Sequence, residues 1–342
     1  MEKTQWIRDI DAGDDVRSLF LVSAASQLQA KNGPFWKLEL KDASGCLEAR
    51  IWSPASQSCP DVRAGSLAEV EGRAESYRDQ LQINVGRLRL LTAEETEQAD
   101  LAAFLPAGDR PAADLLEEAE ALCRRELTHK PWRAFALAVL GDPEIRPRLL
   151  TATAAKGVHH AWVGGLLEHS LSVATLCLRL CDHYPELDRQ TLFTGALFHD
   201  IGKIAELSGG LANDYTDEGR LVGHINLGLE LLAPHLKKAR VEPELALHFR
   251  HLVLSHHGLY EYGSPRLPQT AEALALHYAD NLDAKLAQTR ALFRDVNEGE
   301  SAWSPYQRTL DRALYQAPRT PRREKNRAEP APPRDDQCSL LG

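Results

Sequence analysis

The 342-residue sequence has no apolar run approaching the roughly 20 residues that cross a bilayer, so no membrane partner is expected. Its first residues, MEKTQWIRDIDAGDD, lack a basic start followed by an apolar stretch, and no secretory leader is expected there. The six cysteines (Cys46, Cys59, Cys123, Cys177, Cys181 and Cys338) include no CxxC pair. A chain of this length does not need disulfide staples, so they read as reduced thiols of a cytoplasmic protein. Cys177 and Cys181 fall at i,i+4 in one apolar helix and read as core packing. An excess of positive charge is also missing: 40 Lys and Arg stand against 49 Asp and Glu, a net charge of −9. That argues against a broad basic surface for duplex nucleic acid. It leaves room for a local groove, and a metal-dependent phosphoesterase needs carboxylates. No internal repeat is found.

What is present divides in two. The length suits two domains, and a hydrophobic fraction of 43% supports a packed core. Residues 1–95 read as strands. In GPFWKLELKDASGCLEARIWS, Trp36, Leu38 and Leu40 alternate on one arm and Leu47, Ala49 and Ile51 on the other, with DASG as the turn. Leu81, Ile83 and Val85 alternate further on. Five short strands predict a small closed barrel, with an OB-fold as the leading choice. Residues 96–115 read as a linker, with Pro111 placed to begin a first helical turn. From about 116 to 315 the pattern predicts only helices and loops. Residues 316–342 are rich in proline and charge with few apolar anchors, and predict a disordered tail. Its cluster of Arg319, Arg322, Arg323, Lys325 and Arg327 reads first as solvated, and second as a nucleic-acid contact.

The chemistry is concentrated in the helical half. Most of the 13 histidines fall between His159 and His277. His169 lies in GGLLEHSLSVATLCLRL, a helix apolar nearly all round and therefore buried. Alone it would read as a core histidine bonded to a carbonyl. It has company: His199-Asp200 ends a second apolar helix, His224 opens a third, His256-His257 ends a fourth, and Asp280 sits in a fifth with Asp283 one turn later. Imidazole plus carboxylate suits Mn, Fe, Zn, Co or Ni better than Ca or Mg. One bridging carboxylate would hold two ions about 3.5–4 Å apart, the spacing used for in-line phosphoryl displacement.

The order His … His-Asp … Asp resembles the HD superfamily of metal-dependent phosphohydrolases. The resemblance implies His169, His199, Asp200 and Asp280 as a first metal site, with Asp200 bridging. It implies His224, His256 and His257 as the extra histidines of two-metal members. Position 165 is Gly where some three-metal members carry a glutamate, which favours two ions. Asp200 and Lys203 are the catalytic candidates. Lys203 reads either as a phosphate contact or as a charge at a helix C-terminus, and Gly202 reads as a break in the helix.

A wider set is similar to the YhaM-type 3′→5′ exoribonucleases, an OB-fold followed by an HD domain. GPFWKLELKDASGCLEARIW, HHAWVGGLLEHSLSVA, GALFHDIGKIAEL, GHINLG and SHHGLYEYGSPRLPQTAEALALHYADNLDAK occur in order over residues 15–290. The resemblance implies Mn-favoured hydrolysis of single-stranded RNA or DNA from the 3′ end, releasing nucleoside 5′-monophosphates. His159 and His160 precede the His169 helix and read equally as lining for an end-accepting pocket and as a polar loop. Phe35, Trp36, Trp52 and Tyr77 are candidates for stacking bases, although the barrel core is the better reading for at least two of them. Two other readings remain open. One is an HD enzyme acting on cyclic dinucleotides or nucleotides, although the Gly-Tyr-Pro element of the cyclic-dinucleotide branch is absent. The other is a non-catalytic single-strand-binding protein with a structural metal. The sequence is compatible with a homo-oligomer.

Overall fold

The computed structural model of the chain describes residues 3–320 apart from 60, 79, 101–102, 106–107, 109, 155–161, 212, 294–295 and 298. Five strands open the chain: β1 (Asp15–Ala30), β2 (Gly33–Asp42), β3 (Gly45–Ile51), β4 (Leu67–Tyr77) and β5 (Gln80–Leu90). They close a barrel in the order β1-β2-β3-β5-β4. Every pairing is antiparallel except β3 with β5, which runs parallel and completes the closure. This is the small closed five-stranded barrel expected of an OB-fold. Alternation places Leu38, Leu40, Ala49, Ile51, Ile83 and Val85 inside. Gly72 sits where the β4–β5 register shifts, and a Cβ there would lie 2.4 Å from the Asn84 carbonyl oxygen. The missing side chain therefore lets the two strands close at a bend.

The N-terminal segment is tied to the barrel by a buried ion pair. Lys3 Nζ lies 2.9 Å from Asp42 Oδ2, with both side chains almost fully buried. The ammonium also sits over the Phe20 ring, 4.1 Å from its centroid. Asp42 accepts the Ile7 N–H at 2.9 Å and the Ser44 N–H at 2.7 Å. Burial acts against ionised Asp42, yet the bonds from Ser44, Lys3 and Ile7 keep its carboxyl below the usual range.

The elements that follow along the chain are helical. They are α1 (Ala93–Glu97), α2 (Ala112–Glu126), α3 (Lys130–Leu140), α4 (Ile145–Thr151), α5 (Gly165–His183), α6 (Arg189–Phe198), α7 (Lys203–Glu206), α8 (Asp217–Leu221), α9 (His224–Ala239), α10 (Pro243–Ser255) and α11 (Ala271–Leu292). The stretch read as a linker carries the end of α1, begun by a Thr92–Glu95 capping box, and the first turn of α2 after Pro111. Phe104 and Ala103, between these helices, pack on Leu19, Leu21 and Leu67 of the barrel, with Leu211 at the edge. In the helical core Phe135 meets Phe198 at 5.6 Å and Phe249 at 5.4 Å, and Trp132 lies 5.5 Å from Phe249. Helix α6, capped by Asp188, is buried from Thr191 to Phe198. It delivers the next two residues, His199 and Asp200, into the interior. Cys177 is wholly buried and Cys181 nearly so, in the same core.

The chain divides into two compact units between Gln288 and Thr289. In the second, β6 (Ala302–Trp303) pairs antiparallel with β7 (Tyr315–Gln316), where the sequence predicts only helices and loops. Two-residue strands are too short for hydrophobic alternation to register. Residues 321–342, most of the expected tail, lie outside the described residues, as does Cys338. Among the described residues no helix is long and apolar enough to cross a membrane.

The Lys3–Asp42 pair makes a stability prediction. Asp42→Ala leaves a buried ammonium without its carboxylate and is expected to cost about 3–5 kcal/mol. Combining it with Lys3→Met should restore most of that loss. Denaturant melts of the single and double variants measure both; a double variant no better than Asp42→Ala would contradict this account.

Candidate metal centre

Five helices converge on one buried point. Helix α5 supplies His169, and the end of α6 supplies His199 and Asp200. The first residue of α9 is His224, the turn after α10 carries His256 and His257, and α11 carries Asp280. All seven expected metal-ligand candidates meet there. They form overlapping groups whose nitrogen and oxygen atoms lie within 4.8 Å of one another. One contains His169, His199 and Asp200; another contains Asp200, His224, His256 and His257; a third joins His199, His256 and Asp280. Asp200 is the member common to the first two. Its Oδ2 lies 3.6 Å from His169 Nε2 and 3.4 Å from His199 Nε2. Its Oδ1 lies 3.4 Å from His224 Nε2 and 3.5 Å from His256 Nε2. The two oxygens thus face two different sets of imidazoles. Asp280 Oδ1 approaches His169 Nε2 at 3.1 Å.

The imidazoles are all held by the same atom. Nδ1 donates to the Ala196 carbonyl in His199, to Val253 in His256 and to Tyr262 in His257, each at 2.7 Å. Nδ1 of His169 meets Asp283 Oδ2 at 2.8 Å, and Nδ1 of His224 meets Glu206 Oε1 at 3.0 Å. A carbonyl oxygen only accepts, so the proton sits on Nδ1 in the neutral rings and the Nε2 lone pair faces the site. Four buried side-chain atoms there have no hydrogen-bond partner: His199 Nε2, Asp200 Oδ1, His224 Nε2 and His256 Nε2. Orphaned acceptors of this kind are costly in a protein interior. Divalent cations on the two sides of Asp200 would satisfy them, so this donor set fits metal.

The electrostatics agree. Burial alone would raise the Asp200 carboxyl, but Lys203 and His199 hold it well below the usual carboxylate range. Asp280 is held down in the same way by His169 and His199. Burial works against a charged His199, yet Asp200 and Asp280 outweigh it and raise that imidazole to about 10. For His256 burial prevails and pushes the ring down to about 4. Without a metal, the proton on His199 substitutes for one positive charge.

Lys203 does not sit at a helix C-terminus. It lies beyond α6, as the first residue of the one-turn helix α7. Its Nζ lies 2.6 Å from Asp200 Oδ2, and the side chain is largely buried. Gly202 lies in the turn between α6 and α7, as the N-cap of α7, with its own angles still right-handed helical. Its role is close approach. A Cβ at Gly202 would lie 1.9 Å from the His224 carbonyl oxygen and 2.5 Å from the Gly228 nitrogen. Only glycine lets the start of α9 come near enough to bring His224 to Asp200. Gly258 works similarly below His277, whose Nδ1 donates to the His256 carbonyl at 2.9 Å.

Two residues given no role by the sequence reading, Glu206, which it passes over, and Asp283, which it notes only as one turn after Asp280, position the rings. Glu206 orients His224 through both its ring and its backbone N–H, each at 3.0 Å. Asp283 bonds His169 and accepts from the Ser172 hydroxyl. The available signal is helical spacing: Glu206 and Asp283 each follow a candidate, Lys203 and Asp280, by three residues on the same helix. His159 and His160 lie outside the described residues.

The barrel candidates separate. Trp36 is core, 9% exposed, and its indole N–H donates to the Cys59 carbonyl, so it presents no face to a base. Phe35 and Trp52 stack with centroids 4.6 Å apart, and Trp52 and Tyr77 are exposed. The Arg50 guanidinium lies over both the Trp52 and Tyr77 rings, at 5.6 and 5.7 Å. These side chains come from β2, β3 and the ends of β3 and β4, the face by which such barrels hold oligonucleotides.

Two predictions follow from this geometry. Gly202→Ala should displace the start of α9, destabilise the protein by about 1–3 kcal/mol and lower bound metal, whereas Gly228→Ala, with nothing nearer than 3.1 Å, should be milder. Metal analysis and thermal melts of the two variants test this. Because a metal needs the lone pair that the His199 proton occupies below about pH 10, binding should release a proton. Affinity should then rise roughly tenfold per pH unit for each proton displaced. Mn²⁺ titrations at pH 6.5, 7.5 and 8.5 read that slope; equal affinities at all three would contradict it.

Comparison with known proteins locates the chain. The HD domain family matches residues 166–285. The 3′-5′ exoribonuclease YhaM of Bacillus velezensis is 33% identical over 298 residues, 85% of this chain and 91% of that protein. YhaM of Bacillus subtilis is 32% identical over 85% of this chain and 91% of its own. YhaM of Bacillus pumilus is 33% identical over 86% and 92%. Among solved structures, the second OB-fold domain of replication protein A from Methanococcus maripaludis aligns with 25% of this chain and 93% of its own, at 22% identity and TM-score 0.23. With a third of its residues shared with these relatives over almost its whole length, the chain belongs to the YhaM 3′-5′ exoribonuclease family.

Proposed function

We propose that this chain is a metal-dependent 3′→5′ exonuclease that hydrolyses single-stranded RNA to nucleoside 5′-monophosphates, with single-stranded DNA as a second substrate. One observation carries the reading: a buried carboxylate shared by two histidine sets, with His199 Nε2 in one and His224 and His256 Nε2 in the other aimed inward without a hydrogen-bond partner. His169, His199, Asp200 and Asp280 would hold one divalent ion, and Asp200, His224, His256 and His257 a second. Mn²⁺ is the preferred ion, with Fe, Co, Ni or Zn as substitutes suited to the same donors. When bound, such ions supply Lewis acidity toward a phosphodiester and an attacking water.

The chain's own groups do the rest. Lys203 keeps Asp200 ionised and sets an ammonium beside the site, where a phosphate oxygen gains a charge-assisted bond. Glu206 and Asp283 fix the rings of His224 and His169, so that the site is preorganised rather than assembled on substrate. Phe35, Trp52 and Tyr77, with Arg50 across two of them, would stack the bases of the strand behind its 3′ end.

The test uses a 5′-labelled 20-nucleotide single-stranded RNA with Mn²⁺, and its DNA counterpart. A descending ladder is expected with the wild type and none with Asp200→Ala. Internal cuts, or turnover of cyclic dinucleotides without attack on RNA or DNA, would overturn the proposal. Trp52→Ala should raise KM about tenfold, since a stacked base is worth roughly 1–3 kcal/mol, and leave kcat nearly unchanged.

A further inference from the structure

The metal centre is not equally deep on all sides. His169, His199, Asp200 and His256 are buried, whereas His224, His257 and Asp280 are each partly exposed. His224 and His257 lie side by side, with ring centroids 5.1 Å apart. The centre therefore opens to solvent past the second set of histidines. The two segments that carry these rings share another property: each displays large apolar side chains next to its ligand. Leu221, 85% exposed, and Val222, also exposed, come immediately before Gly223 and His224. Leu259, Tyr260 and Tyr262 follow His257, and the two tyrosines are 64% and 56% exposed.

Both segments are fixed in place. His257 Nδ1 is bonded to the carbonyl of Tyr262, the residue that shows its own ring to solvent. The N–H groups of Tyr262 and Gly263 donate to the Leu259 and Tyr260 carbonyls, each at 3.0 Å. A Cβ at Gly263 would lie 4.0 Å from His257 Nδ1, so this turn lies against the imidazole. Before His224, the Thr216 N–H donates to the Glu206 carbonyl at 2.9 Å, and a Cβ at Gly219 would lie 2.2 Å from that carbonyl oxygen. Helix α8 therefore sits directly on the residue that orients His224.

Charge decides what such a rim can hold. From Gly258 to Pro265 the one charged side chain is Glu261, and from Leu221 to Leu227 there is no Asp, Glu, Lys or Arg. A phosphate gains nothing there. A base does, because every base has a face that stacks on an aromatic ring. The proposed reaction supplies one. The oxygen of water bonds to phosphorus and gives up a proton. The bond from phosphorus to O3′ of the preceding residue breaks, and O3′ leaves with the electron pair and takes up a proton. At each cut one nucleoside thus lies on the 3′ side of the reacting phosphate and departs with it.

We propose that Tyr260 and Tyr262, with Leu221 and Val222 beside His224, form the subsite for the 3′-terminal base. The identity of this occupant rests on the exonuclease reading above. Because all four bases stack, the subsite responds to the presence of a terminal base and not to its sequence.

The experiment uses the full chain with Mn²⁺ and two 12-nucleotide single-stranded RNAs, one complete and one with a stable abasic residue at its 3′ end. It reads kcat/KM for removal of that residue. Tyr260→Ala with Tyr262→Ala should lower the value about tenfold on the complete RNA. The abasic RNA should cost the wild type a similar factor and the variant nothing further, as expected of groups that act on each other. Tyr260→Phe with Tyr262→Phe keeps the rings and should behave as wild type. So should Tyr278→Ala: Tyr278 is 66% exposed but lies two positions before Asp280 on α11, about 200° around that helix. With metal withheld, a 3′-terminal 2-aminopurine, whose emission falls on stacking, should be quenched by the wild type and the phenylalanine variant and not by the alanine variant. Losses that multiply on the abasic RNA, or equal rates for all variants beside a normal ladder, overturn the subsite and leave the exonuclease standing. A wild type that quenches the 2-aminopurine through these tyrosines yet degrades no RNA overturns the exonuclease and leaves the subsite standing. Self-association of the wild type that the alanine variant loses, with cleavage unchanged, overturns the subsite and marks the rings as a contact between protein chains.

Discussion

The structure turns on one buried negative charge. Asp200 is 2% exposed, and an isolated carboxylate at that depth is so costly that it would normally take up a proton. It stays ionised because Lys203 bonds one oxygen and imidazoles surround both. Each imidazole around it is in turn held by a hydrogen bond at its other nitrogen. Three ring Nδ1 atoms are tied to carbonyls one turn back or across a tight turn, and two are tied to carboxylates. Gly202 removes the side chain that would keep α9 away. Packing and chemistry are coupled at this point. The same close contact that buries the helix start also brings His224 within reach of Asp200.

This coupling explains how much could be read from the sequence. The seven residues of the centre stand out because polar, metal-binding side chains are rare inside apolar helices, and each occurs where hydrophobic periodicity demands burial. Glu206 and Asp283 have no such contrast: a carboxylate on a helix is ordinary at the surface, and only its partner shows that it faces inward. Lys203 was ambiguous for another reason. The sequence shows an apolar helix ending at HDIGK with a break at Gly202, and does not show that a new helix begins at Lys203 itself. In the barrel the alternation of Trp36 with Leu38 and Leu40 already carries the inward phase that the structure gives it. Phe35 and Trp52 meet only because adjacent strands bring them side by side, a register that residue order does not print. The β6–β7 pair stayed hidden because two residues are too few for a period.

The protein is acidic, yet the family to which it belongs is named for work on a polyanion. The two facts are compatible because charge acts locally. Beyond a Debye length of about 8 Å at physiological salt, exposed charges are largely screened, so the total of −9 governs solubility more than recognition. The positive groups at the candidate surfaces are Arg50, across two rings of the barrel, and Lys203, beside Asp200. The carboxylates that make the chain acidic include the two at its centre, where they are needed to attract cations. At the centre, Lys203 and the charged His199 ring offset Asp200 and Asp280 while no metal is bound. Divalent ions would displace that proton and add positive charge beside Lys203, where a phosphate needs it. The acidic total and a polyanionic substrate are therefore reconciled by the few groups at the centre rather than by the surface as a whole.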